Sequence, residues 1–361
     1  MAISTDIFVA PRARLRPETG AKWVRGWLLI IAAMVYAMIL VGGATRLTDS
    51  GLSITEWRPI AGAMPPLNAA DWASEFDKYR QTAEYQLQNK GMSLSEFQFI
   101  YWWEWGHRQL GRLVGVVFFI PFVTFWALGW TNPALRRRLW VLFSLGGLQG
   151  FIGWWMVSSG IGETTRVDVA PYRLMTHFTL ALLIIALCFW NWLSLAETTA
   201  RGASRSAHRW AWALLGLTSV QMAMGALVAG LDAGRTYTDW PLMGGQAVPD
   251  GMWSMSPIIR NVFENVATAQ FNHRITAYIL LAAGVYAAWR FRNEAQGGFK
   301  LFAAILGVQS VLGIVTLVHA APLTLGLSHQ AVGALALLLS VWLVWRTSDQ
   351  SGASMSDAKS T

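Results

Sequence analysis

The chain has 361 residues, of which 54% are hydrophobic and 13% charged, with 21 tryptophans and a formal net charge of +8. Soluble domains carry about 25% charged residues, so a soluble fold is excluded and a polytopic membrane protein is expected. The basic residues gather in short loops, as orientation signals do, which removes nucleic acid as a partner; the single cysteine, Cys188, excludes an intrachain disulfide and a thiolate metal site.

In chain order, residues 1–25 are basic through Arg12, Arg14, Arg16, Lys22 and Arg25. They lack a small-residue cleavage site, so a cytoplasmic segment is expected rather than a removable signal peptide. Eight apolar spans follow, at 26–44, 108–130, 139–160, 174–196, 210–231, 272–289, 299–320 and 323–345. The first, Gly26 to Ala44, would rise about 29 Å as a helix, close to one hydrocarbon core. The second and sixth are less apolar at their starts, because each opens on a His-Arg pair. Arg136-Arg137-Arg138, then Arg201, Arg205 and Arg209, then Arg290, Arg292 and Lys300 fall in alternate loops. The positive-inside rule then puts both termini in the cytoplasm. The opposite side carries loops 45–106, 161–173, 232–271 and the short 320–322. The polar tail, 347–361, is expected to be disordered.

The chain reads as an internal duplication. Ser50-Gly51-Leu52-Ser53-Ile54-Thr55-Glu56-Trp57 matches Ala233-Gly234-Arg235-Thr236-Tyr237-Thr238-Asp239-Trp240, and His107-Arg108 matches His273-Arg274. Gly147-Leu148-Gln149 with Gly153 matches Gly307-Val308-Gln309 with Gly313, and His177 matches His329. Four matches in one order predict parallel repeats of four spans each. The expected architecture is all-α: eight transmembrane helices as two tandem pseudo-symmetric four-helix bundles, residues 26–200 and 201–346.

Four of the six histidines belong to this repeat. His107 and His177 open the second and fourth helices of the first half, and His273 and His329 those of the second. One such histidine is most simply a polar cap, but a pair repeated in both halves points to a shared ligand. Two facing helices can each offer an imidazole to one metal. Haem, copper and zinc satisfy that pattern, and haem fits best, because bis-imidazole ligation between helices is a haem mode. Arg108, Arg112 and Arg274 near these histidines are candidate partners for haem propionates. His208 and His319 read as ordinary polar residues. Gln149 and Gln309 read as interhelical hydrogen bonders.

The halves differ at one telling place. Glu104 stands three residues before His107, whereas Gln270 stands three before His273. A carboxylate there can take a proton or stabilise a cation, so the first half is expected to be reactive and the second structural or an electron relay; the plainer alternative is a carboxylate simply paired with Arg108 or a loop arginine. The aromatic stretch Phe97-Gln98-Phe99-Ile100-Tyr101-Trp102-Trp103 is expected to lie on the bilayer surface.

The sequence resembles haem A synthase of the alphaproteobacterial and mitochondrial type. The likeness rests on Gly42-Gly43-Ala44-Thr45-Arg46-Leu47-Thr48, Ser50 to Trp57, Ile100 to Arg108, Thr238 to Met243, Phe263-Glu264-Asn265-Val266 and Gln270 to Arg274. It implies oxidation of the C8 methyl of haem O to a formyl group by successive hydroxylations, giving haem A for cytochrome c oxidase. It implies a resident haem b, its iron on His273 and His329, and substrate haem O at His107 and His177, with Glu104 as the catalytic group. It implies a multi-pass protein of the bacterial inner membrane with the haem sites toward the periplasm. Haem O synthase and cytochrome c oxidase assembly factors are expected partners, beside an electron donor the sequence does not name, membrane lipid and a homo-oligomeric state. Some bacterial relatives carry a loop cysteine pair; this chain has none. Two other readings share the histidine pairs: a dihaem b-type electron-transfer cytochrome, and a haem-handling chaperone.

Overall fold

The computed structural model describes residues 18–162, 164–196 and 203–348. The basic cluster Arg12 to Arg16, Arg201 and the tail from 349 onward lie outside the described residues. Among the described residues the secondary structure is helical, and no strand forms. The long helices are α1 (Glu18–Leu47), α4 (Leu94–Ala127), α5 (Pro133–Val157), α6 (Pro171–Ser194), α7 (Arg205–Gly230), α10 (Val266–Arg290), α11 (Gly298–Val318) and α12 (Leu323–Thr347). Short helices α2 (Ala69–Tyr79), α3 (Ala83–Leu87), α8 (Ala233–Thr236) and α9 (Arg260–Glu264) lie in the two large loops.

Local sequence fixes most starts. Ser93 and Glu96 form a reciprocal capping box for α4, which satisfies two otherwise orphaned backbone donors. Asn132 caps α5 ahead of Pro133, and Asn265 caps α10. Proline at the first helical position costs nothing, because that N–H has no helical partner; Pro171 exploits this in α6.

Among the described residues, seven helices are long and apolar enough to cross a membrane: α1, α4, α5, α6, α7, α11 and α12. The segment expected as the sixth span does form a helix, α10, but it is not among the seven. Its first third carries Gln270, Asn272, His273 and Arg274, which lower its apolar character. Large apolar side chains stay exposed along the long helices, Leu113, Val116, Phe119, Ile120 and Val123 on α4 among them. Such faces suit lipid tails.

Packing runs in rings. α4 and α6 each pack on α1 and α5, so they lie across from one another, while α10 and α12 each pack on α7 and α11. α6 also packs on α7 and α12, and α1 on α12, joining the two sets. One apolar core joins Val24, Trp27, Leu28 and Ile31 of α1 to Phe118 and Phe122 of α4, Leu139 of α5 and Ile185 of α6. A second core, around Leu214, Phe291, Phe299 and Phe302, fills the other set.

The aromatic stretch 97–103 forms the opening turns of α4, which begins at Leu94 rather than near residue 108. Phe97, Ile100 and Tyr101 are buried with Phe76 and Tyr79 of α2 in a separate small core, while Phe99 and Trp102 face outward. Phe97 stacks on Phe76 at 4.9 Å between ring centroids, and such pairs add about 0.5–1.5 kcal/mol beyond their buried area. In the second half the corresponding helix breaks: α9 ends at Glu264, Asn265 is extended, and α10 starts at Val266.

Candidate functional site

Each of the four repeated histidines is seated against a glycine of a neighbouring helix. A Cβ on Gly42 of α1 would lie 3.1 Å from Nε2 of His107, and one on Gly225 of α7 would lie 3.1 Å from Cε1 of His273. A Cβ on Gly153 of α5 or Gly313 of α11 would lie 2.9 Å from Cε1 of His177 or His329. A larger residue there would require the ring to shift, so close approach favours glycine at these positions. His107 on α4 and His177 on α6 thus occupy the two opposed helices of one set; His273 on α10 and His329 on α12 do the same in the other.

Glutamines hold three of the four histidines. Nε2 of Gln149 donates to the carbonyl oxygen of His177 at 3.0 Å and lies 3.4 Å from its Nε2. Gln309 repeats this on His329 at 2.9 and 3.4 Å. Gln221 of α7, which the sequence did not single out, lies 3.1 Å from Nδ1 of His273. Its signal was present but quiet: it stands one helical turn before Gly225.

The imidazole nitrogens are left with unmet capacity. Nδ1 of His177 and Nδ1 of His329 are buried without a hydrogen-bond partner, as are the Oε1 atoms of Gln149, Gln221 and Gln309. Unpaired polar groups in an apolar interior cost several kcal/mol, and a group bound beside these rings could engage the free ring nitrogens. Among the described residues no group of three or more His, Cys, Asp or Glu could hold a metal ion. Zinc sites normally take three or four protein ligands. Two imidazoles per set fit an iron whose other positions a macrocycle fills, so the residues suit haem.

Beside His107 lies a buried charged knot. Glu104 is 3% exposed. Its Oε2 accepts from the Ser53 hydroxyl at 2.8 Å and the Ile54 backbone N–H at 2.7 Å, and its Oε1 accepts from Arg108 at 2.5 Å. Arg108 also donates to the carbonyls of Ile54 at 3.0 Å and Glu56 at 3.1 Å. Ser53 therefore joins the site, a residue noted in the sequence only as part of the repeat. The matched position in the other set inverts the polarity: Gln270 donates to the Tyr237 carbonyl at 2.9 Å, and Arg274 donates to the same oxygen at 3.1 Å. Ile54 and Tyr237 are themselves matched in the repeat.

The three arginines proposed from sequence as propionate partners bind the outer loops as well. Arg112 donates to the carbonyls of Pro59 at 2.9 Å and Arg58 at 3.1 Å. Arg274 also reaches the Leu242 carbonyl at 2.8 Å, while its Nε is buried with no partner. A recess of about 620 Å³ lined by Tyr278, Leu281, Val285 and Trp289 lies on one face of α10. None of the four histidines lines it, and its walls are apolar.

A second cluster ties the sets together. Arg46, at the end of α1, pairs with Asp49 at 2.7 Å, with Asp168 at 3.5 Å and with Asp232. Arg235 meets Asp232 at 3.4 Å and Asp49 at 3.9 Å. Burial raises the Asp168 carboxyl above its usual range, and Arg46 opposes that shift.

Helices that expose apolar faces, together with histidines seated on opposed helices, define an all-helical integral membrane protein with paired imidazole sites. Comparison of the sequence makes the assignment specific. The chain belongs to the cytochrome oxidase assembly protein family, whose profile matches residues 25–341. It is 59% identical to the Heme A synthase of Hyphomonas neptunium, over 90% of this chain and 93% of that protein. It is 54% identical to the Heme A synthase of Dinoroseobacter shibae, over 89% and 87% of the two chains. Against the Heme A synthase of Maricaulis maris the identity is 49%, over 91% and 97%.

Proposed function

We propose that this protein is a membrane oxidoreductase that converts haem O into haem A, oxidising the C8 methyl group to a formyl group by successive hydroxylations. The observation that carries the reading is the asymmetry beside the paired histidines: Glu104 is buried and triply hydrogen-bonded next to His107, where the other set has the neutral Gln270. High identity to three proteins named Heme A synthase supplies the substrate. In this reading α10 also spans the membrane, which brings the spans to eight, and residues 26–200 and 201–346 are duplicated four-helix halves. Their histidine sites face the periplasm of a bacterial inner membrane, and both termini are cytoplasmic. Haem O synthase and assembly factors of cytochrome c oxidase are the proposed partners.

His273 and His329 would hold a resident haem b, and His107 and His177 would receive haem O. When bound, the resident haem supplies one-electron redox capacity. Gly225 and Gly313 give the ligand rings of the second half their seats, and Gln221 and Gln309 fix their orientation. In the first half Ser53, the Ile54 N–H and Arg108 hold the Glu104 carboxylate in one place. A carboxylate fixed this way costs no reorganisation when positive charge develops at a nearby carbon. It also accepts a proton from the water that adds there. Arg108, Arg112 and Arg274 orient propionates while pinning the outer loops over the sites.

The test is extraction and mass analysis of the haems in protein purified from cells that make haem O. Haem b together with haem A or a hydroxylated haem O is the expected result. Haem b alone would replace the reading with that of an electron-transfer cytochrome, and haem lost readily from both halves would favour a chaperone.

A further inference from the structure

The two halves differ in how they hold the histidine of their second helix. On α7, Gln221 stands one turn before Gly225, the seat of His273, and its amide lies 3.1 Å from Nδ1 and 3.4 Å from Nε2 of that ring. Its Oε1 has no other partner. Amide nitrogen and oxygen are interchangeable by a half-turn of the side chain, so the glutamine serves the ring as donor or as acceptor. On α1 the residue one turn before Gly42, the seat of His107, is Met38. Its methyl group reaches α4, where a Cβ on Gly111 would lie 3.1 Å from Met38 Cε. A thioether donates no hydrogen bond and accepts only weakly. Among the described residues no side-chain hydrogen bond to His107 forms. His177, on the opposed helix of the same set, has Gln149.

A hydrogen bond to the far nitrogen of a ligating imidazole fixes its tautomer and orientation and raises its basicity. Losing such a partner costs about 10–100-fold in metal affinity. A resident haem gains from firm ligation on both sides; a substrate haem has to be received and then given up. We propose that Met38 is a positioning residue that leaves His107 the weaker, exchangeable ligand of the haem in the first half, whereas Gln221 locks His273 in the second. This rests on reading the paired histidines as haem ligands. Dissociation of His107 opens a coordination position on the substrate iron without disturbing the resident site, and reverses when the product departs.

The experiment is carbon monoxide binding to the reduced, haem-loaded, full-length protein, followed by its visible spectrum. Histidine variants His107→Ala and His273→Ala assign each population to its half. The wild type is expected to react at the first-half haem alone. Met38→Gln is expected to slow that reaction about tenfold, with haem content unchanged. Gln221→Met is expected to create a second carbon monoxide-reactive population, and Met38→Leu to behave as wild type, because it changes packing without adding a hydrogen bond. Normal haem content with wild-type carbon monoxide reactivity, in rate and in reacting population, in both Met38→Gln and Gln221→Met overturns the proposal and leaves the haem reading intact. Folded wild-type protein whose haem spectra ignore His107 and His273 overturns the haem reading itself. Should Met38→Gln not fold, Gln221→Met decides alone, since it moves the other half in the opposite direction.

Discussion

At the scale of residues, the proposed chemistry concentrates on Glu104. It sits on a helix interior, 3% exposed, and only its three donors make that position tolerable. A buried carboxylate without such partners would be expelled or neutralised. The substitution Glu104→Gln keeps the shape and an oxygen for Ser53 and Ile54, and it makes the first half resemble the second at Gln270. Haem content is therefore expected to stay normal, while conversion of haem O falls about 100-fold or more, as loss of a positioned acid–base group does. Normal output of haem A from this variant would remove Glu104 from the chemistry. Histidine and glutamate identities were legible in the sequence as a repeat with one odd member. The glycine seats and Gln221 were not, because which small residue meets which ring depends on helix rotation.

At the scale of elements, the outer cap formed by α2, α3 and the first turns of α4 is what positions the loop over Glu104. Its core contains an ionisable pair that hydropathy does not flag. Glu84 is 2% exposed, and burial pushes its carboxyl up to about 8, partly offset by the Tyr79 hydroxyl. Tyr79 is itself fully buried and accepts a hydrogen bond from Asn89 at 2.8 Å. A folded-state value raised above the ordinary 4.5 means that the folded cap binds the proton more tightly than the unfolded one. Its stabilising effect is therefore complete below pH 4.5 and fades as pH rises through about 8. Amide hydrogen exchange in residues 69–104, corrected for intrinsic pH dependence, is expected to accelerate over that window. In Glu84→Gln the acceleration should disappear; an unchanged slope would assign it to another group. The same cap explains why α4 starts at Leu94 and not at the membrane boundary expected from hydropathy. Ser93 and Glu96 signal the start locally, and the burial of Phe97 and Tyr101 against α2 sustains it.

At the scale of the whole molecule, the two sets of helices are joined by α6, α7, α12 and α1 and clasped by Arg46. Asp49 and Asp232 occupy matched places in the repeat, and both adopt left-handed backbone. Arg46 has no matched arginine, since Ala229 stands in its place. One cation therefore serves acids from both halves and from the 161–173 loop. Its side chain is 12% exposed, while the acids are 31–40% exposed. Removing one member of a buried ion pair costs about 3–5 kcal/mol. Solvent screening of the acids reduces this to about 2–3 kcal/mol for Arg46→Met. Thermal unfolding in detergent should show a lower midpoint with unchanged helix content. A midpoint equal to the wild type would mean that the Arg46 pairs add nothing to the join made by helix packing and the Arg235–Asp49 contact.

The sequence by itself determined the membrane class and the apolar helices that carry it, and it displayed the order of the repeat and the four histidines that recur in it. Those features are carried by hydropathy and spacing, which are local and survive being read along one dimension. It also exposed Glu104, because duplication supplies an internal control at Gln270. Only the tertiary structure decided what each of those groups touches. Ser53 and Ile54 meet Glu104 across some fifty residues of loop, Gly153 meets His177 from another helix, and Gln221 finds a histidine where Met38 does not. Such contacts depend on how helices rotate and pack against one another, and no periodicity within a single segment encodes that.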